Sequence, residues 1–293
     1  MFKTAAYTLP PRRRPLKLPR LNGSTPTDDT APGLDFDLAA LRDLAADAAL
    51  RSVVPFSGAR AGAALRLADG RTVAAPRLEV SAFPTTIPAL VGAWALGSVA
   101  GQAPVAAAHT RPFTPSETAF LAEATGRAWR LDAPDLAVCV GAAMPGDAGP
   151  VDLLVAAPHS DTAGAADALA AADAAVVPAS DFPVGAVAVG ADGRAVRGAN
   201  VETESDWTRG LCAERVALVA AYAAGIGPVA TLFVACRKSP GGSPCGACRQ
   251  AISDLAPDAR VVLWNGAAPS VVTSAAALLP GAFRGDGLVR IVA

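Results

Sequence analysis

Histidine is almost missing from this chain, with two in 293 residues, and aromatic residues make up only 5% of it. The first scarcity argues against a metal site built from several imidazoles, and the second against a surface that stacks successive bases of a strand. Net charge is missing too. Lys+Arg 25 against Asp+Glu 26 leaves −1, so no basic field exists to hold a nucleic acid by its phosphates. No charge-free apolar run reaches about 18 residues, and the N-terminus lacks the apolar stretch of a secretory signal. No membrane association is therefore expected, and the cytoplasm is the expected compartment. The five cysteines are too few, and three of them too clustered, for a disulfide-stapled secreted domain. What the chain has in quantity is small aliphatic residues: hydrophobic residues reach 52%, the mark of a compact globular protein packed with Ala, Val and Leu.

A chain this long suits two cores better than one, and a search for self-similarity finds them. Pro55, Ser57, Gly62, Ala63, Asp69, Gly70, Arg71 and Glu79 recur at constant spacing as Pro178, Ser180, Gly185, Ala186, Asp192, Gly193, Arg194 and Glu202. Gly101, Pro104 and Val105 answer Gly225, Pro228 and Val229 one residue out of that register, and Pro145-Gly146 and Leu153 answer Pro280-Gly281 and Leu288 after further insertion. The chain reads as a tandem duplication: residues 34–154 and 155–293, preceded by an arm over 1–33. That arm carries Pro10, Pro11, Pro15, Pro19 and Pro26 and the basic cluster Arg12 to Arg14, a composition that opposes helix and favours an extended or flexible segment.

Each copy opens on a helical pattern, Leu38 to Ala48 and then Ala165 to Ala172. A hairpin follows, turning at Ala68-Asp69-Gly70 or Ala191-Asp192-Gly193. In the second copy a helix is expected from Cys212 to Ala224, stopped by Gly225. A strand over 231–237, a helix over 245–256 ended by Pro257 and a strand over 260–265 come next. Alternating strands and helices predict an α/β fold, each copy a three-layer domain with helices on a mixed sheet.

Cys212 and Glu214 sit at the start of one expected helix, and Pro244-Cys245-Gly246-Ala247-Cys248 opens another. A Cys-x-x-Cys at a helix start directs two sulfurs at one point, and a third thiolate from a neighbouring helix leaves tetrahedral Zn²⁺ one open position, the catalytic pattern. A redox pair, or a structural zinc with a fourth ligand elsewhere, is the alternative. His109 and His159 lie away from these motifs, and Cys139 and Cys236 sit in apolar, strand-like runs. Three thiolates outweigh the charge of Zn²⁺ by one, which opposes deprotonation of a water at the open position. Two helix N-termini, each about +0.5 charge, offset this, and Arg215 and Arg249 are placed to donate to the sulfurs. Glu214, two residues past a ligand, is the candidate proton carrier.

These residues resemble the cytidine deaminase family: Cys-Ala-Glu and Pro-Cys-Gly-Ala-Cys-Arg-Gln within one domain, a signature of zinc deaminases. The match runs from about Val177 to Leu288 and includes Phe182-Pro183-Val184-Gly185-Ala186, Asn200-Val201-Glu202 and Leu278 to Phe283. The resemblance implies one zinc per chain and hydrolytic deamination of cytidine or deoxycytidine, as in pyrimidine salvage. It implies that Phe182 stacks on the pyrimidine, that Asn200 and Glu202 hold the ribose hydroxyls, and that the backbone at Ala213 reads the amino group. Phe283 resembles the aromatic that reaches a neighbouring subunit's site in small tetrameric members, with plain interface packing as the alternative.

The first copy has lost this chemistry. Cys212 answers Pro88, Glu214 answers Leu90, Phe182 answers Ala59 and Asn200 answers Arg77, while Cys245 and Cys248 answer Ser116 and Ala119. It resembles the dead domain of two-domain deaminases, which implies a homodimer with four domains in pseudo-tetrameric arrangement. Those usually place the active copy first and use one His and two Cys; both features differ here. Rival readings are a deaminase of another cytosine nucleoside such as blasticidin S, a non-catalytic zinc-binding regulatory protein, and a nucleic-acid editor, the last opposed by the charge balance.

Overall fold

The computed structural model describes residues 38–204, 207–266 and 270–285. The expected arm over 1–33 and the repeat residue Leu288 lie outside them. In the first half, chain order gives α1 (Leu38–Ala49), β1 (Gly62–Leu67), β2 (Thr72–Pro76), α2 (Ala89–Val99), β3 (Pro104–His109), α3 (Pro115–Thr125), β4 (Trp129–Ala133) and β5 (Leu136–Cys139). The second half gives β6 (Leu154–Val155), α4 (Asp161–Ala171), β7 (Gly185–Gly190), β8 (Ala195–Ala199), α5 (Ala213–Ala223), β9 (Val229–Ala235), α6 (Gly246–Leu255), β10 (Arg260–Leu263), β11 (Val271–Ser274) and α7 (Ala275–Leu278). The helices and strands expected from periodicity are found within a residue or two of their bounds, α4 apart, which starts at Asp161.

The repeated residues explain why the halves fold alike. Glycine stands at Gly62 and Gly185 because a helix backbone lies on the strand there. A Cβ at Gly62 would fall 2.0 Å from the carbonyl oxygen of Ala45 in α1, and one at Gly185 would fall 2.0 Å from that of Ala168 in α4. The Asp-Gly-Arg turns do two jobs. Gly70 and Gly193 take φ of 89° and 80°, which glycine adopts freely. Asp69 Oδ1 accepts from Arg71 N–H, and Asp192 Oδ1 from Arg194 N–H, both at 3.0 Å. The arginine then donates to the carbonyl that ends the next helix, Arg71 to Ala100 at 3.2 Å and Arg194 to Ala224 at 3.1 Å, satisfying oxygens with no partner inside the helix.

The sheets part company after α3 and α6. In the second half β10 pairs parallel with β9, and the sheet is mixed, in the order β11-β10-β9-β7-β8-β6. In the first half the strand beside β3 is β5, antiparallel, with β4 at the edge, so that sheet of order β2-β1-β3-β5-β4 is antiparallel throughout. Burial accounts for the exchange. β5 is buried at every position, whereas β4 places Arg130, Leu131 and Asp132 in solvent, and a charged strand belongs at an edge. The second half has its apolar run in the strand straight after the helix, where Val261, Val262 and Leu263 are buried.

The described residues belong to one compact unit, Asp35–Ala293, whose largest core cluster is shared by the two halves, with a smaller cluster of its own in each. Leu90, Trp94 and Leu121 from the first half pack in one apolar cluster with Val216, Val219 and Ile252 from the second. Polar contacts tie the same seam: Asp254 accepts from Ser81 N–H at 2.7 Å and Ser81 Oγ at 2.8 Å, and Arg215 donates to the Thr85 carbonyl at 2.7 Å.

Candidate active site

Cys212 is the N-cap of α5 and Cys245 the N-cap of α6, both in extended backbone with no side-chain cap bond. Their sulfurs stand where a capping oxygen usually sits, in front of amides that lack helical partners. Cys248 follows in the first turn of α6, fully buried. The three sulfurs lie within 4.8 Å of one another, with Cys212 and Cys245 3.7 Å apart. Two sulfurs bound at about 2.3 Å to one tetrahedral zinc sit about 3.8 Å apart, so the spacing fits.

The titration of the cluster makes the same point. Hydrogen bonds from the Cys212 and Cys248 thiols, helped by the amides of Ala247 and Cys248, push Cys245 down to about 2. The bond to Cys245 pushes Cys212 up to about 12, and contacts with both other sulfurs raise Cys248 as well. Alone, the cluster holds one thiolate and resists a second; three converging thiolates call for a cation.

Glu214 is buried beside them, and burial pushes its carboxyl above the ordinary value. A cavity of about 580 Å³ opens onto these groups, lined by Cys212, Glu214, Cys245, Phe182, Asn200 and Glu202. Phe182 is 39% exposed, a ring face open to a ligand. Asn200 and Glu202 are partly committed elsewhere. Asn200 Oδ1 accepts from Val184 N–H at 2.8 Å and its Nδ2 donates to the Phe182 carbonyl at 2.9 Å. Glu202 accepts from the amides of Ala179 and Ser180 at 3.2 and 3.0 Å and from Ser180 Oγ at 2.6 Å. Both hold the 179–184 loop, and so the Phe182 ring, over the cavity.

The remaining expected positions lie outside this lining. Ala213 is fully buried and does not line the cavity. Phe283 is 57% exposed and also stands outside the lining, its carbonyl taken by Gln250 Nε2 at 3.0 Å. The two arginines donate to oxygens rather than to the sulfurs: Arg215 to the Thr85 carbonyl, and Arg249 to the carbonyls of Pro244 and Leu278 and to Ser243 Oγ. Neighbouring carbonyls are the stronger acceptors, and backbone amides already serve Cys245. Sequence reasoning missed Cys236, Ser239 and Ser243, which also line the cavity. Pro240, Gly241 and Gly242 mark that stretch as a loop, and Lys238 pins it by an ion pair to Asp181 at 2.7 Å.

In the first half, helix caps correct the sequence register. Thr114 caps α3 as Cys245 caps α6, so Thr114 and Glu117, not Ser116 and Ala119, stand at the ligand positions. Pro115 lies inside α3, whereas Pro244 precedes the cap of α6, and aligning the prolines shifts the register by that difference.

Comparison with known proteins was made on this geometry. Residues 159–264 match the family model of the cytidine and deoxycytidylate deaminase zinc-binding region. A cytidine deaminase from Halalkalibacterium halodurans is 40% identical over 121 residues, 40% of this chain and 89% of that relative. One from Sporosarcina psychrophila is 39% identical over 119 residues, 40% of this chain and 87% of its own. A crystal structure of cytidine deaminase from Burkholderia pseudomallei is 42% identical across 42% of this chain and 99% of that one, with a TM-score of 0.40. Sequence identity of about 40% across 89% and 87% of the two shorter relatives from Halalkalibacterium halodurans and Sporosarcina psychrophila places the chain in the cytidine deaminase family.

Proposed function

We propose that the protein hydrolyses the exocyclic amine of cytidine or deoxycytidine, giving uridine or deoxyuridine and ammonia, with zinc as its cofactor. The observation that carries this is the convergence of three sulfurs beside a buried carboxyl, with Cys212, Cys245 and Glu214 on the wall of one nucleoside-sized cavity. Cys212, Cys245 and Cys248 hold the zinc, which supplies Lewis-acid activation of water. Glu214 takes one proton from the attacking water and delivers it to N3 of the pyrimidine ring, then carries the second proton, from the new C4 hydroxyl, to the departing amine, leaving the C4 carbonyl of the product and ammonia. Its burial suits a carboxyl that must release a proton as readily as it accepts one. Phe182 stacks on the ring, and Asn200 and Glu202 orient the sugar with the acceptor capacity their loop contacts leave free. The loop contacts of the 179–184 segment position Phe182 before substrate arrives, which lowers the cost of ordering it.

We read residues 34–154 as a zinc-less structural copy and 155–293 as the catalytic one, joined in a homodimer of four such domains and acting in the cytoplasm, where thiols stay reduced. Among the described residues no helix is long and apolar enough to cross a membrane.

The test is loss of absorbance with cytidine and deoxycytidine on purified protein, beside metal analysis. One zinc per chain is expected. Glu214→Gln should keep the zinc while slowing turnover by about 10²–10⁴-fold; near-normal turnover in that variant sinks the role of Glu214, and two zincs per chain sink the zinc-less assignment. Sedimentation of the full chain checks the homodimer.

A further inference from the structure

The first half keeps a cavity where the second half has its catalytic one, of about 620 Å³ against 580 Å³, and its chemistry has been reversed. Pro88 and Leu90 line it in place of Cys212 and Glu214, Arg77 stands where Asn200 does, and Arg111, Arg209 and Arg215 join the wall. Glu117 is the one carboxylate among the lining residues.

Arg77, Arg111 and Arg215 keep donors beyond their existing contacts. Arg77 pairs with Glu79 at 2.9 Å, Arg111 holds both oxygens of Glu117 at 2.9 and 2.7 Å, and Arg209 pairs with Glu123 at 3.1 Å. Arg215 donates only to the Thr85 carbonyl, and among the described residues it has no ion pair. Nε of Arg77, Nε of Arg215 and Nδ1 of His109 are shut off from water with no hydrogen-bond partner. His109 is 3% exposed, and its Nε2 faces Glu117 at 3.7 Å, beyond hydrogen-bond reach. Closed to the cavity as well as to solvent, these atoms do not themselves meet a ligand; they mark Arg77, Arg215 and His109 as side chains whose burial is incompletely offset by hydrogen bonds.

A further source of positive potential is α2 itself. Its N-cap is Pro88, with no side-chain cap bond, and Ala89 and Leu90 of its first turn line the cavity. In α3 the same position is closed by a capping box between Thr114 and Glu117, so α2 alone presents a free helix end here. Phe83, 82% exposed, and the buried Phe120 add apolar surface for the rest of a ligand.

We infer that this cavity binds phosphate, either the free anion or a phosphate carried by a molecule of nucleoside size. A tetrahedral oxyanion supplies several acceptors at once, which matches guanidinium groups and helix amides converging from different elements. Uncharged nucleosides supply no such charge.

The test is calorimetric titration of the zinc-loaded full chain with UMP, inorganic phosphate and uridine. UMP or phosphate should saturate one site per chain, weaken as sodium chloride is raised, and persist with uridine present at saturation. UMP binding well above phosphate assigns the nucleotide as the source, and phosphate binding alone assigns the free anion. Arg77→Gln or Arg111→Gln should weaken binding by about tenfold or more, and Arg77→Lys should restore part of it. Asn200→Ala, in the other cavity, should leave it unchanged. Absence of saturable binding by both anions overturns the inference. So does displacement of UMP by uridine, or loss in Asn200→Ala with none in Arg77→Gln, either of which would put the anion in the zinc cavity. The uridine and salt measurements use unmodified protein and stand even if a variant fails to fold.

Discussion

The two halves differ least where their backbones do the same thing and most where their cavities face a ligand. Gly62 and Gly185, the Asp-Gly-Arg turns, and Glu79 and Glu202 keep not only their identity but also their close approaches and hydrogen bonds. Cys212, Glu214, Phe182 and Asn200 have become Pro88, Leu90, Ala59 and Arg77. Residues that hold the scaffold are needed in both halves because both halves feed one core, and an unpaired half would leave the faces of α2 or α5 uncovered. Residues that serve chemistry are needed once. A residue present in both halves is therefore suspected of structural work even when it lines the catalytic cavity.

The glycine pair gives the comparison its strongest test. Gly62→Ala and Gly185→Ala each place a methyl against a helix backbone that must shift away, which is expected to cost on the order of 3 kcal/mol. Denaturant unfolding should find the two losses similar. A large loss at one and none at the other would break the equivalence of the α1 and α4 contacts.

A second test uses a buried histidine whose place in the second half is taken by valine. His109 of β3 pairs with Ala63 of β1, and Val234 of β9 occupies the matching place against Ala186 of β7. Burial and then Arg111, opposed by Glu117, together lower the His109 pKa from 6.5 to about 4; Arg77 and Arg215 line the same cavity. The unfolded chain therefore binds the proton first as pH falls. Stability is complete above about 6.5 and declines as the pH drops toward 4, by up to about 3 kcal/mol. His109→Gln should flatten that part of the pH dependence, read as the urea midpoint at pH 7 and pH 5. An unchanged slope would mean that carboxylates set it.

Much of this was legible beforehand, for reasons that lie in the residues. Thiols at helix starts and Asp-Gly turns are local signals, and local signals survive without a structure. The order of β4 and β5 was not legible, because it depends on which strand's burial suits the middle of a sheet. The cap register of α3 was hidden by a proline that plays different roles in Pro115 and Pro244. The reach of Arg215 and Arg249 was hidden because the competing acceptors, Thr85, Pro244 and Leu278, come from elsewhere in the fold.

The smallest effect bears on the residue whose role the comparison changes most. By resemblance Glu202 holds a ribose hydroxyl, yet its partner Glu79 keeps the same contacts where no such site remains. Glu79 accepts from the amides of Phe56 and Ser57 at 3.1 and 3.0 Å and from the Ser57 hydroxyl, just as Glu202 accepts from Ala179, Ser180 and the Ser180 hydroxyl. Hydrogen bonding and Arg77 hold Glu79 below the usual carboxylate range against the opposing effect of burial. Glu79→Gln and Glu202→Gln should each cost about 1–2 kcal/mol, since an amide replaces a charged acceptor facing backbone donors. If Glu202 also binds substrate, its variant alone should raise the KM for cytidine. A matched loss of stability with KM unchanged in Glu202→Gln would make it a loop anchor and leave sugar recognition to Asn200.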